Sequence, residues 1–353
     1  YQLIGLGALA AMALSFYQKG KRQIMVWQMA AFACFILHYG LIGALSGALC
    51  NVVQILSMLL FAARDRFHWP VLAAAIPIFL CIMLLTIACS TALQAKREKE
   101  PADNYMNHPW YGKRIAYIGD SVTDPNQGGG QVTHYWQFLA DWLHSTPLVY
   151  AVSGYEWSHA VGLTDKLHQE VGEDVDAIIV FLGTNDYNSD LPLGCWFTEK
   201  PEQVQRGKGG KEFQDVRLHR SLSMDQSTVR GRINVAMKHL KELYPTKQLI
   251  LLTPLHRGYA FFGNGNRQPS EDYRNEQGLY IDHYVDAIAE AAHVWAVPVI
   301  DIYSLSGLLP TMPSQRQYFC DEKNDQLHPN TQGHQRLAKT LLTQLSSLPC
   351  TWE

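Results

Sequence analysis

The sequence predicts an α/β fold with a parallel sheet, preceded by an all-α transmembrane region. Two observations support this prediction. After residue 110, short β-rich apolar runs alternate with helical patterns, which is typical of parallel strands joined by crossover helices. Before residue 96, three long stretches contain no Asp, Glu, Lys or Arg. At about 20 apolar residues per crossing, they are long enough to span a bilayer.

Composition separates the same two regions. Charged residues make up 17% of the 353 residues, against about 25% in an ordinary soluble domain. Residues 1–100 hold eight basic and three acidic residues and carry +5, whereas the other 253 hold 21 and 29 and carry −8. These figures exclude a disordered chain and a polycationic nucleic-acid-binding protein. We therefore expect no nucleic-acid partner.

The seven cysteines show neither CxxC nor Cys/His ligand spacing. Four of them lie in the apolar stretches, and the other three are far apart in the sequence. We predict no disulfide framework, no metal site and no cofactor.

We interpret residues 1–94 as about four transmembrane spans, 95–109 as a polar linker and 110–353 as a globular domain. Tyr1–Tyr17 and Phe67–Ala95 fit one crossing each. Gln23–Ala63 fits two crossings, with a tight turn near His38-Tyr39-Gly40. A soluble helical core would show polar faces at helical spacing, and these stretches show none.

Charges in the loops predict the orientation. Lys19, Lys21 and Arg22 follow the first span and Arg64 and Arg66 the third, whereas the turn between the second and third spans has no Lys or Arg. The positive-inside rule then places the globular domain outside the cytoplasm. The cluster of Lys and Arg within residues 96–99 argues mildly against this orientation.

From Gln2 to about Arg66 the sequence resembles a family of small, uncharacterised bacterial inner-membrane proteins. The Gly-rich first helix, the basic loop and the pattern from His38 to Gly43 support this resemblance, which implies location in the bacterial inner membrane. His38 is the only ionisable residue inside a predicted span. It is a candidate functional residue or a residue of the membrane interface.

The predicted elements of the globular domain alternate in order. The strands are Lys113–Ile118, Leu148–Val152, Ala177–Leu182, Gln248–Leu252 and Val297–Ile300. The helices are Val132–Leu143, Trp157–Val171, Ser227–Leu243, Asp272–Trp295 and Thr331–Leu345. In such folds reactive groups gather on loops at the carboxyl ends of the strands.

Four motifs lie at these positions. They are Gly119-Asp120-Ser121 after the first strand, Gly154 after the second, Gly183-Thr184-Asn185-Asp186 after the third, and Asp325-Gln326-Leu327-His328-Pro329 before the last helix. Each alone is ordinary loop chemistry. The four together, in this order, are far more specific.

Over residues 111–350 these motifs resemble the SGNH hydrolases, also called GDSL-type esterases. The resemblance implies a flavodoxin-like three-layer α/β/α fold and ester hydrolysis by serine. It makes Ser121 the nucleophile, His328 the base and Asp325 its partner, with Gly154 and Asn185 in the oxyanion hole. No Gly-x-Ser-x-Gly elbow is present, which disfavours the larger α/β-hydrolase family.

Elementary chemistry agrees with this assignment. A serine hydroxyl needs a base within hydrogen-bond reach, and the pKa of an ordinary imidazole lies near neutrality. A carboxylate held against the ring, here Asp325 beside His328, stabilises the imidazolium. The backbone N–H groups of Ser121 and Gly154 and the Asn185 amide would supply three oxyanion donors.

Other polar residues are weaker candidates for substrate contact: Asp120, Asp186, Tyr187 and His256. Asp120 is also expected to brace its loop, and Asp186 to cap a turn. Among the remaining histidines, His134 and His159 lie near loop or helix ends, and His334 is predicted to lie on the surface of the last helix.

Residues 187–230 form a long insertion with few strand or helix signals. We interpret it as a partial lid or a solvated loop, and its basic part, Lys200–Arg220, could recognise a phosphate or carboxylate. Tyr155, Trp157, Tyr187 and Trp196 could stack on sugar rings or belong to the core.

The sequence predicts a membrane-anchored esterase that hydrolyses short-chain, chiefly acetyl, esters on carbohydrate or cell-envelope glycan. The alternatives are a lysophospholipase or thioesterase, a non-catalytic binding module, and an acyltransferase partner domain. We expect an ester as the small-molecule or glycan partner, membrane contact through residues 1–94, and no protein partner.

Overall fold

The computed structural model describes Leu14, residues 21–41, 105–263 and 265–348, and Cys350. The chain divides after Glu100 into two compact units. In the first unit the described helix is α1, Lys21–Leu41. Within the described residues, no helix is both long and apolar enough to cross a membrane.

The turn predicted at His38-Tyr39-Gly40 is wrong. Helix α1 continues through these three residues to Leu41, because an interior glycine costs a helix only about 1 kcal/mol. The rest of the predicted spans, apart from Leu14, lies outside the described residues, as does the linker up to residue 104. Their number and orientation therefore stay predictions.

The second unit alternates strands and helices. Its strands are β1 Arg114–Gly119, β2 Thr146–Ala151, β3 Ala177–Phe181, β4 Phe197–Lys208, β5 Lys211–Leu222, β6 Gln248–Leu252, β7 Ala260–Phe261, β8 Arg267–Gln268, β9 Val299–Ile300, β10 Phe319–Asp321 and β11 Asp325–Pro329. Its helices are α2 Tyr135–Leu143, α3 Ala160–Val171, α4 Thr184–Asn188, α5 Val229–Leu243, α6 Asp282–Trp295, α7 Ile302–Leu305 and α8 Thr331–Leu345. The 3₁₀ turns are Gln127–Gly130, Trp157–His159 and Pro313–Tyr318.

The central sheet is parallel and has the order β2-β1-β3-β6-β9. Numbered by position along the chain this order is 2-1-3-4-5, the doubly wound order of flavodoxin. Gly119, the last residue of β1, lies opposite Phe181 of β3, and Phe181 lies opposite Leu252 of β6. The loops that follow these strands therefore start from one edge of the sheet.

The sheet is buried on both faces. In β1, Ala116 and Ile118 pack with α3, α5 and α6, whereas Ile115 and Tyr117 pack with α2 and α8 on the opposite face. Successive strand side chains point to opposite faces, so each strand contributes to both cores. The result is a three-layer α/β/α unit, and the predicted α/β fold with a parallel sheet is confirmed.

Three parts of the fold differ from the predictions. The helix predicted from Asp272 begins only at Asp282. The segment from Asp325 to Pro329, predicted as a loop, is strand β11 of a second sheet, antiparallel, with the order β10-β11-β7-β8. In this sheet, strands β7 and β8 are two residues long, too short to show a periodic pattern.

The third difference is the insertion, in which β4 and β5 form a regular antiparallel hairpin. Gly209 and Gly210 connect the strands with φ values of 61° and 77°, the left-handed conformation that tight two-residue hairpin turns require. Strand signals were weak because neither face of this hairpin is buried. Hydrophobic alternation arises only where one face meets a core.

Candidate active site

A tight turn after β1 presents Ser121. Gly119 is required at the end of the strand, because a Cβ there would lie 2.5 Å from Thr123 Oγ1. The Asp120 carboxylate accepts a hydrogen bond from the N–H of Val122 at 3.0 Å, and its carbonyl oxygen accepts one from Thr123 at 3.0 Å. These bonds hold the turn, as predicted for Asp120. Ser121 is only 5% exposed.

Ser121, His328 and Asp325 form a continuous hydrogen-bonded relay. The Ser121 hydroxyl lies 2.8 Å from His328 Nε2, and His328 Nδ1 lies 2.9 Å from Asp325 Oδ2. With its proton on Nδ1, the imidazole donates to the carboxylate and accepts from the hydroxyl. Asp325 Oδ1 also accepts the backbone N–H of His328 at 3.0 Å. The carboxylate thus orients both the ring and the strand that carries it.

Hydrogen bonds tie the loops of Gly154 and Asn185 to the nucleophile turn. Asp124, three residues after Ser121, accepts bonds from the N–H and the hydroxyl of Ser153 at 2.9 and 2.8 Å. Asn185 Nδ2 donates to the carbonyl oxygen of Tyr155 at 2.9 Å. Gly154, between Ser153 and Tyr155, has φ +84°, a conformation that favours glycine. The three predicted oxyanion donors therefore belong to one hydrogen-bonded assembly.

The Asn185 amide has a second hydrogen atom on the same nitrogen. The bond to Tyr155 uses one of the two. Asn185 is 9% exposed, so its contact with water is small.

The buried carboxylates behave differently from surface ones. Burial raises the pKa of Asp120 to about 7, against the lowering effects of the Val122 N–H and His328. Burial likewise raises the pKa of Asp186 to about 7, although its bond from the Trp157 N–H and its ion pair with Arg232 lower it. Asp120 is buried next to Ser121 of the relay, and Asp186 is buried next to Asn185.

Asp186 is a structural anchor in this arrangement. It is fully buried, accepts the N–H of Trp157 at 3.1 Å and lies 3.2 Å from Arg232 Nη1. Arg232 also pairs with Glu156. The network joins α4, which carries Asn185, to the segment that follows Gly154.

Tyr187 and His256 have protein partners. The Tyr187 side chain is buried, and its hydroxyl donates to the carbonyl oxygen of Tyr273 at 2.8 Å. His256 Nδ1 lies 2.6 Å from Glu271 Oε1, and its ring stacks on Tyr303 at 3.5 Å. These contacts fix both side chains within the protein.

Of the aromatic residues considered for sugar stacking, Trp157 and Tyr187 belong to the core. Trp196 packs against that core and donates to Glu290 at 2.7 Å. Tyr155 is half-buried and stacks on His159 at 4.1 Å. Tyr155 is therefore the member of this set placed beside the predicted oxyanion hole.

The surface position predicted for His334 is wrong. His334 is 1% exposed, and its ring lies 4.8 Å from that of buried His134. Burial lowers the pKa of both histidines, and the proximity of His134 and His328 lowers that of His334 further. His334 lies on the face of α8 that packs against α2, and a single histidine among polar neighbours gives no sign of this in the sequence.

Sequence reasoning missed Arg257, which is completely buried. Its Nη1 lies 3.3 Å from the carbonyl oxygen and 3.2 Å from the hydroxyl of Thr184, and Nη2 donates to Gln268 at 2.6 Å. The guanidinium also lies over the Tyr187 ring at 5.5 Å. Burial lowers the pKa of Arg257 to about 10, which leaves it charged at neutral pH.

In the part of the chain that the structure describes, no group of three or more His, Cys, Asp or Glu side chains could hold a metal ion. The described cysteines, at positions 34, 195, 320 and 350, are free thiols.

Comparisons with known proteins give two family matches. The GDSL-like lipase/acylhydrolase family matches residues 117–336, and a bacterial inner membrane protein family matches residues 1–94. A solved structure of a Lactobacillus plantarum protein shares 27% identity with a TM-score of 0.52, covering 67% of this chain and 98% of that chain. A possible lipase from Chitinophaga pinensis shares 18% identity with a TM-score of 0.47, covering 65% and 96%. No curated protein matches.

Proposed function

Since this chain belongs to the GDSL-like lipase/acylhydrolase family and is a serine ester hydrolase, we propose that it removes short acyl groups, chiefly acetyl, from carbohydrate or cell-envelope glycan. The observation that supports catalysis is the relay of 2.8 and 2.9 Å from Ser121 through His328 to Asp325. A non-catalytic binding module would have no need of this alignment.

In the proposed reaction, His328 Nε2 takes the hydroxyl proton as Ser121 Oγ attacks the ester carbonyl. Asp325 stabilises the imidazolium that forms. The backbone N–H groups of Ser121 and Gly154 and the second amide hydrogen of Asn185 stabilise the oxyanion.

Collapse of the tetrahedral intermediate breaks the bond to the alcohol, which leaves with the proton from His328 Nε2. The acyl group then remains on Ser121 Oγ. Water, deprotonated by the same nitrogen, attacks this acyl-enzyme and releases the acid, which regenerates the serine.

Aromatic side chains beside the relay support a sugar-bearing substrate. The Phe262 ring lies 5.3 Å from that of His328 and is 40% exposed. Tyr155 follows Gly154 in the chain, and its carbonyl oxygen accepts the hydrogen bond from Asn185. Flat, partly exposed rings of this kind pack against the apolar faces of sugars.

The match of residues 1–94 to an inner membrane protein family favours a second candidate, a lysophospholipase or thioesterase. The two candidates differ in acyl length. We would compare rates on acetyl, octanoyl and palmitoyl esters of one leaving alcohol, and then measure acetate release from acetylated glycans, with Ser121→Ala as the blank. A preference for acetyl supports the glycan esterase, whereas a preference for palmitoyl would overturn it.

We further propose that residues 1–94 anchor the enzyme as a multi-pass region with the hydrolase unit outside the cytoplasm. The inner membrane family match and the basic loops at positions 19–22 and 64–66 support this proposal. Exposed Cys195 and Cys320 should react with an impermeant thiol reagent on spheroplasts, and the double variant Cys195→Ser, Cys320→Ser should abolish labelling of these two positions. Labelling only after lysis would place the unit in the cytoplasm.

A further inference from the structure

The β4–β5 hairpin, residues 197–222, is long for a segment that no other layer of the described residues covers. Its register runs from the pair Phe197 and Leu222 to the pair Lys208 and Lys211. Each strand has 12 residues, about twice the usual length. Every side chain from Thr198 to Lys211 is exposed. Because a two-stranded hairpin alone is only marginally stable in water, a partner surface is expected to cover one of its faces.

The two faces of the hairpin differ in chemistry. Residues paired across an antiparallel ladder share a face, and successive pairs alternate between faces. One face, which we term the basic face, carries two acidic residues, Glu202 and Asp215, and five basic ones: Lys200, Arg206, Lys208, Lys211 and Arg217.

Ion pairs agree with this division of the hairpin. Arg206 and Arg217 lie 3.3 and 3.2 Å from Asp215, and Lys200 lies 3.5 Å from Glu202, all on the basic face. The two carboxylates leave that face with a net charge of +3.

The opposite face carries five apolar residues, Phe197, Pro201, Val216, Leu218 and Leu222. Its charges are Glu199, Glu212 and Arg220, a net −1. Val216 and Leu218 are 62% and 67% exposed. The hairpin is therefore amphipathic, with positive charge concentrated on one side.

The positive charge is local to the hairpin. Residues 197–222 contain six basic and four acidic residues, a net +2, whereas the rest of 101–353 contains fifteen and twenty-five, a net −10. Since charges beyond about 8–10 Å are largely screened at physiological salt, the hairpin can approach an anionic surface that the rest of the unit avoids. Such a surface would also orient the unit.

We propose that the hairpin docks on the anionic surface of a phospholipid membrane through its basic face. At about 3.3 Å per residue, the five basic residues spread over about 26 Å of one face, from Lys200 to the pair Lys208 and Lys211, which suits an array of phosphates. The chain's first 94 residues match an inner membrane protein family. A protein anchored in that membrane lies close to its lipid headgroups, and we therefore choose anionic headgroups as the partner. This proposal is independent of the ester that the enzyme cleaves.

The test uses the full chain in nanodiscs of phosphatidylcholine, with or without phosphatidylglycerol, and a photoactivatable phosphatidylglycerol probe. Mass spectrometry locates the lipid adducts. We expect adducts on residues 197–222 that high salt suppresses. Each basic residue near an anionic membrane contributes about fivefold in affinity, so Arg206→Gln, Lys208→Gln and Lys211→Gln together should weaken docking about a hundredfold and bring these adducts to background.

A matched triple variant controls for net charge. Lys166→Gln, Lys238→Gln and Lys323→Gln remove three exposed lysines outside the hairpin and should leave the adducts unchanged. Both triple variants should keep the wild-type rate on a small soluble ester, which shows that they fold and separates this proposal from that of the catalytic function. Equal adducts in all three proteins, or adducts on residues 197–222 that high salt does not suppress, would overturn the proposal.

Discussion

The wholly buried guanidinium of Arg257 lies within hydrogen-bonding distance of both oxygens of Thr184, the residue before Asn185. The Asn185 amide in turn donates to Tyr155 beside Gly154. One charged side chain thus fixes the start of α4, and α4 presents the amide assigned to the oxyanion. Arg257 acts through these neighbours, which makes it a positioning residue.

Arg257→Lys should therefore lower kcat more than it raises KM. Lysine keeps the charge but cannot reproduce the forked contact with Thr184 and Gln268. Displacement of a catalytic group by about 1 Å can cost roughly 10²-fold in rate, so we expect a loss of between about 10- and 100-fold in kcat. Steady-state kinetics on a short acyl ester measure it, with exposed Arg267→Lys as the control. A change in KM alone would assign Arg257 to substrate binding.

Ser121→Ala should abolish turnover without unfolding the protein, because Oγ forms the bond to the acyl group. A loss on the order of 10⁶-fold in kcat is expected for Ser121→Ala or His328→Ala, with little further loss on combining them. Asp325→Asn should lose roughly 10⁴-fold, since the wrong tautomer of the imidazole is then favoured. A serine-directed phosphonate should label the wild type and not Ser121→Ala. Turnover near the wild-type rate in Ser121→Ala would show that Ser121 is not the nucleophile.

The parallel sheet and the positions of the relay residues could be predicted because they leave local signals. Buried strands such as β3 are continuously apolar, and short polar motifs follow them at the sheet edge. Thr331–Leu345 was predicted with the bounds that α8 has in the structure.

Buried charged groups leave no such signal. Arg257 and Asp186 are typical surface residues by composition, and only the packing of distant segments shows that they are buried. The hairpin escaped prediction for the opposite physical reason, because both of its faces are exposed and neither has to be apolar. In both cases the missing information is tertiary.

Asn185→Ala tests the oxyanion hole. Loss of one such donor costs about 10²–10³-fold in turnover, and because the bond strengthens as charge develops, KM should change little. Asn188, at the end of the same short helix, offers a matched control, since Asn188→Ala removes an amide outside the proposed hole. Equal effects of the two substitutions would indicate that Asn185 only supports α4.

The buried pair His134 and His334 should make the hydrolase unit sensitive to acid. Their pKa values are lowered by burial in the folded state, whereas an unfolded histidine has a pKa of about 6.5. Below that pH the unfolded chain binds protons that the folded protein does not, so the free energy of unfolding falls as the pH falls. Above that pH the two histidines are neutral in the folded and in the unfolded state, so their contribution to stability is then fully present.

Asp120 and Asp186 have the opposite effect on how the free energy of unfolding changes with pH, over part of the same pH range. Their folded pKa values of about 7 lie above the usual value of an aspartate, so the folded state binds more protons between about pH 4 and 7 and gains stability as the pH falls. The effect of a histidine must therefore be measured as a difference between variants.

His334→Phe keeps an aromatic ring against Tyr135 and His134 and removes one titrating group. Relative to wild type, its free energy of unfolding should improve by up to about 2 kcal/mol on going from pH 8 to pH 5, the linkage expected for one histidine kept neutral about 1.5 pH units below its unfolded pKa. Denaturant titrations of the 101–353 unit at the two pH values give this difference. Exposed His283→Phe should show no such change. Identical pH dependence in His334→Phe and wild type would mean that the buried imidazole is protonated in the folded protein.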